Sequence, residues 1–154
     1  MISNKIAIAA IALWVVTITV FAWFFVRGNT TGGSGGRTAV VLAPAERELI
    51  LSEMRGMLTG VQGILDGLNR NDMKQVSGAA HGAGMAAAAD VNPALMAKLP
   101  LELKQLGMSV HRDMDNLAQA ADSGKSAAEL QGMLADTLSK CVACHAAWQL
   151  KSGE

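Results

Sequence analysis

The sequence predicts an all-α chain: an antiparallel four-helix bundle preceded by one N-terminal transmembrane helix. Three observations carry that expectation. The segment Ile6–Val26 contains no charged residue, and Thr17 and Thr19 are its only polar ones. Four later stretches place apolar residues three and four apart, the period of a helix with one buried face. No run alternates apolar and polar residues with period two, so no strand is expected.

The apolar segment is long enough to cross a hydrocarbon core of ~30 Å as a helix. A cleaved export signal has a shorter apolar core followed by a small-residue site. Here the stretch ends Phe24-Phe25-Val26-Arg27, so residues 1–27 read as an uncleaved anchor, with cleavage the alternative. Trp14 falls mid-span, whereas Trp23, Phe24 and Phe25 gather near one end, as in an interfacial belt. Lys5 flanks one side, and Arg27 and Arg37 the other, which leaves orientation open on charge alone. Gly28 to Arg37 is Gly/Ser/Thr-rich, and residues 28–43 are expected to form a flexible linker, either a tether or a plain spacer. The folded domain is then 44–154.

Within the domain, Ala45 to Arg70 sets Leu49, Ile50, Met54, Met57, Leu58, Val61, Ile64, Leu65 and Leu68 at helical spacing. Asn71-Asp72 breaks it. A second helix of mostly Ala and Gly is expected from Met73 to Ala89, ended by Asp90-Val91-Asn92-Pro93. Its small residues suit close approach to a helix or to a flat cofactor. A short turn around Ala94 to Lys98 precedes Pro100. The third helix, Leu101 to about Ala121, carries Leu103, Leu106, Val110, Met114 and Leu117. Ser123-Gly124 turns the chain into a fourth helix, Ser126 to about Leu150, with Leu130, Met133, Leu134 and Leu138.

Composition narrows the function classes. The chain has 3 Phe, no Tyr and 3 Trp, and Trp148 is the only aromatic residue beyond the apolar segment. A core of Leu, Met and Ala with one ring is thin, and a large planar apolar cofactor would fill it. Beyond the linker, ten basic residues stand against thirteen acidic ones, with no basic patch inviting nucleic acid. No nucleophile–base set or paired carboxylates stand out, so the chain is not expected to be an enzyme.

The fourth helix carries Cys141-Val142-Ala143-Cys144-His145. Two thiols one helical turn apart can add to the two vinyl groups of a haem, and the adjacent histidine can then bind the iron. On a helix these residues share one face, which Trp148 would extend. A zinc site would need two further ligands, and the chain has 2 Cys in all. A thioredoxin-like pair would open a helix after a strand, whereas this pair lies deep in a helical stretch. Covalent haem c is therefore the expected cofactor, one per chain. Such haem is attached on the far side of bacterial energy-coupling membranes. The expected location is thus a bacterial inner membrane, single-pass, with the N-terminus cytoplasmic and the haem domain periplasmic.

A four-helix domain with C-x-x-C-H on its last helix resembles the class II cytochromes c, the cytochrome c′ family, over about Pro44 to Leu150. The resemblance implies haem between the helices, thioether links from Cys141 and Cys144, and His145 as proximal ligand. In low-spin members a first-helix methionine is the sixth ligand, and Met54 best matches that position, with Met57 next. In high-spin members an apolar side chain covers an open iron position, a role open to Leu51 or Leu58. Arg55 is placed to pair with a haem propionate as basic residues do in the family, a solvated surface arginine being the alternative. His111 and His81 are further ligand candidates, although a lone helical histidine among polar neighbours is expected to be exposed.

The function expected is a membrane-tethered electron carrier with His/Met ligation, serving periplasmic or membrane redox proteins. The alternatives are a high-spin binder of nitric oxide or carbon monoxide, and a haem subunit of a larger membrane redox complex. Family members often pair through their first helices, so a homodimer is open.

Overall fold

The computed structural model describes residues 2–89 and 91–153. Of these, 79% are helical, in six helices, the first of them the apolar one. The elements are α1 (Ile2–Arg27), β1 (Thr30–Gly32), β2 (Thr38–Leu42), α2 (Pro44–Arg70), α3 (Met73–Gly82), α4 (Pro93–Lys98), α5 (Leu101–Asp122), α6 (Ala127–Ala147) and β3 (Trp148–Ser152). Asp90, expected among the residues that end the second helix, lies outside the described residues.

Helix α1 matches the apolar segment, and Asn4–Arg27 is long and apolar enough to cross a membrane. Its large apolar side chains are exposed. Helix α2 begins on Pro44, where a missing N–H costs nothing. Glu46 accepts the free Ala43 N–H at 2.9 Å. The helix stops at Asn71, which takes the left-handed φ of 57°. Asp72 then caps α3 by accepting the Gln75 N–H at 3.0 Å. This reversal lays α3 along α2. A Cβ at Gly60 would sit 2.9 Å from the Ala83 Cβ, and one at Gly63 2.8 Å from that of Ala79. The glycines are what lets the two backbones close.

Three expectations are corrected. Residues 28–43 are not coil: β1 pairs antiparallel with β2, and β2 pairs parallel with β3, from Thr38 beside Trp148 to Leu42 beside Ser152. Ala39, Val40 and Leu42 are buried. The run Ala-Val-Val-Leu supplies the apolar, β-branched surface that the preceding glycines lack. The fourth helix ends at Ala147 instead of near Leu150, because Trp148 turns extended to join β2 and leaves the face it was expected to share with Cys141. The second helix stops at Gly82, followed by a short 3-10 turn over Met85–Ala88. There the Met85 N–H is taken by Asp115 at 2.9 Å, and the Ala83 and Gly84 carbonyls face His111, so backbone groups find side chains instead of a further helical turn.

Helix α2 packs on α3, α3 on α5, and α5 on α6, while α2 and α6 touch only lightly. Two apolar cores result. The main one joins Val61, Ile64, Leu68, Val76, Met114, Leu117, Leu130 and Leu134. The second, around the sheet, joins Val40, Leu42, Leu95 and Leu99, with Ile50, Leu103, Trp148 and Leu150 against it.

Candidate haem site

Helix α6 positions the motif. Ser126 caps it, accepting the Glu129 N–H at 3.3 Å, and Leu130, Leu134 and Thr137 are its buried face. The Lys140 ammonium pairs with Asp113 at 2.5 Å and fixes that flank of α6 against α5. Continuing the buried face, Cys141 and Cys144 are half-buried free thiols. Burial raises both thiol pKa values, and the neighbouring Cys141 raises that of Cys144 further. His145 is exposed.

At 100° per residue, Leu138, Val142 and His145 fall on the side of α6 opposite Lys140. Leu138 is 36% exposed and Val142 70%. On α2, Leu51, Met54, Leu58 and Leu65 form a stripe on the side opposite the glycines that meet α3. Leu58 is 69% exposed and Leu65 49%. The α2 stripe thus lies away from α3 and the α6 flank away from α5, and α2 and α6 themselves make only light contact. Large apolar side chains left half-exposed on adjoining helices are what a flat apolar group between them would cover. The thiols, the histidine and this lining suit a haem as donor set and as surface.

The two sixth-ligand candidates differ in packing. Met57 lies against the main core, whereas half-buried Met54 belongs to neither core. Along α2, Met54 falls between Ile50 of the second core and Met57. Along α6, the two cysteines fall between Leu134 of the main core and Trp148 of the second. Arg55 is on the exposed surface of α2, ion-paired with Glu48.

The histidines divide. His81 is exposed, its Nδ1 3.7 Å from Asp115. His111, expected to be exposed, is buried, and its Nδ1 lies 2.9 Å from the Ala83 oxygen and 3.1 Å from that of Gly84. It lines a cleft of about 170 Å³ on the α3 side of α2, with Leu49, Ser52, Glu53, Gly56 and Met57. Burial raises the Glu53 pKa, against a smaller lowering by His111. Sequence reasoning missed Glu53, and it missed buried Lys104. Among the described residues no three His, Cys, Asp or Glu side chains gather to hold a bare metal ion.

No protein-family model, curated protein or solved structure matches the chain.

Proposed function

We propose that this chain is a membrane-tethered c-type cytochrome that carries single electrons in the periplasm. Its one haem c is joined to Cys141 and Cys144, with His145 as proximal iron ligand and Met54 as the sixth. The observation that carries the reading is the pair of half-buried thiols on one face of α6, followed by His145. The packing order α2, α3, α5, α6 supports a four-helix bundle like that of the class II cytochromes c. The location is a bacterial inner membrane, with α1 as a single-pass anchor and its N-terminus cytoplasmic. Periplasmic or membrane redox proteins are the partners, with pairing of two copies through their first bundle helices, as the resemblance implies, as a further arrangement.

The group bound there supplies a one-electron iron couple. The protein does the rest. Cys141 and Cys144 would fix its position through two thioether bonds, His145 would hold the iron from α6, and Met54 would supply a thioether that raises its potential. Packed on the bound group, Leu51, Leu58 and Leu138 would keep water from it. A low-polarity surround limits reorganisation and favours repeated one-electron exchange. Arg55 would need to exchange Glu48 for a propionate.

A second reading, capture of nitric oxide or carbon monoxide at an open iron position, draws support from Leu51 and Leu58 on the same stripe as Met54. A haem subunit of a larger complex is a third. The full chain, produced with haem-maturation machinery, separates the first two by absorption spectra with and without carbon monoxide. A sharp, split reduced spectrum indifferent to the gas supports the carrier. A broad reduced spectrum that sharpens with the gas moves the reading to gas binding. A chain that takes up no haem overturns both, and a stable co-purifying redox partner favours the third.

A further inference from the structure

The junction between α1 and the domain is packed, although its composition suggests a swivel. The Phe25 carbonyl, among the last of α1 without an intrahelical partner, accepts from the Lys104 Nζ at 3.0 Å. The same ammonium lies 3.6 Å from the Phe25 ring centroid. Lys104 is buried, rare for lysine, and its charge stands at the negative end of the α1 dipole. One residue beyond the helix, Gly28 has φ +66°, and a Cβ there would sit 2.6 Å from the Lys98 oxygen and from Leu99. Asn29 then donates its N–H to the Lys98 oxygen at 2.7 Å. Asn29 also closes a ring with β2: its Nδ2 donates to the Val41 oxygen, and its own oxygen accepts the Val41 N–H, both at 2.8 Å. Lys98 is itself held by Glu46 of α2, at 2.6 Å.

We propose that α1 and the domain form one rigid piece locked by Lys104, which restricts the haem site to one-electron redox proteins embedded in the same membrane. The partner half of this inference rests on the electron-carrier reading. Cys144 lies four residues before Trp148, about 6 Å along α6. From Trp148 the chain pairs with β2, the strand bound to Asn29. The site therefore lies toward the end of the domain that carries the sheet, the end to which α1 is fixed through Asn29 and Lys104, and no loose tether lets it swing toward soluble carriers. A flexible linker would instead sample many attitudes, each only briefly productive with a membrane-bound partner.

Hydrogen exchange on the full chain in lipid vesicles tests the lock without reference to haem. Amides of Asn29 and Val41 are expected to exchange more than about a hundredfold slower than unstructured peptide. Lys104→Met should remove most of that protection while leaving Leu117 and Leu130 slow. Exchange of residues 28–42 at unstructured rates in the unaltered chain would overturn the proposal, whatever the variant does. For the partner, about ten Gly/Ser residues are inserted between Gly28 and Asn29. Haem reduction is then followed in native membrane vesicles supplied with NADH, and separately with soluble reduced cytochrome c. The insertion should slow the membrane route roughly tenfold and speed the soluble one. An unchanged or faster membrane route would overturn the partner assignment. A haem-free product would count against the electron-carrier reading alone, because the exchange result stands apart from it.

Discussion

The His111 imidazole donates from Nδ1 to the Ala83 carbonyl oxygen across 2.9 Å. Because the second neighbour, the Gly84 carbonyl at 3.1 Å, is also only an acceptor, Nδ1 must carry the proton. The bond ties α5 to the chain just after α3, at the place where α3 stops.

His111→Ala should therefore act on stability and not on the iron. It leaves the Ala83 carbonyl without its donor, while the Gly84 oxygen keeps the Ala87 N–H at 3.1 Å, a loss of about 1–3 kcal/mol. Thermal unfolding should show a clear drop, roughly 4 °C for each kcal/mol in a domain of this size. The reduced spectrum should stay that of the unaltered protein. A changed spectrum with unchanged stability would make His111 an iron ligand and displace Met54.

Met54 and Met57 should separate in the opposite sense. Met57 packs on the main core, so Met57→Ala is expected to cost about 1–2 kcal/mol, below the ~2–5 of a fully buried methionine, and to leave the potential alone. Met54→Ala should cost less in stability, lower the potential and admit carbon monoxide. Redox titration and gas difference spectra on both variants read this directly. Gas binding by Met57→Ala alone would reverse the assignment.

The glycines of α2 are not equivalent. Adding a methyl at Gly63 gains about 1 kcal/mol of helix propensity. The new Cβ would lie 2.8 Å from that of Ala79, however, and overpacking costs about 1–3 kcal/mol. Gly63→Ala should come out near neutral to destabilised, and Gly63→Leu clearly destabilised. At Gly132 nothing lies within 4 Å of an added Cβ, so Gly132→Ala should stabilise by about 0.5–1 kcal/mol. Denaturant midpoints order the three. If Gly63→Leu unfolds at the native midpoint, α2 and α3 are not in close contact.

How much of this was legible in sequence depends on the range of the interaction. Helices α2, α5 and α6 announce themselves because their signal is local: apolar residues three and four apart, with Pro44, Asn71-Asp72 and Ser126 at the ends. The C-x-x-C-H spacing is local too. The sheet is not, since β2 has five residues and its parallel partner β3 begins 110 positions after Thr38. Short strands give no periodicity, and Gly28–Gly36 looks like coil until Val41 and Lys98 bond it. The burial of His111 and Lys104 is likewise hidden, because their partners are main-chain oxygens 28 and 79 positions away.

Acid should loosen the helix that carries the thiols. The Glu129 carboxyl is held down to about 2 by the Ser126 hydroxyl, then by the Ser126 N–H and by Lys125, from an ordinary value of 4.5. Lys98 and the Ala43 N–H lower Glu46 in the same direction. A depressed carboxyl binds fewer protons folded than unfolded, so its stabilisation is complete above about pH 4.5 and drains away as pH falls toward about 2. Ser126→Ala removes the largest cause and the α6 cap together. The melting-temperature gap between the native chain and Ser126→Ala should be widest at neutral pH and narrow steadily through that window. A gap of constant width would mean that the hydroxyl holds the backbone of α6 but not the charge of Glu129.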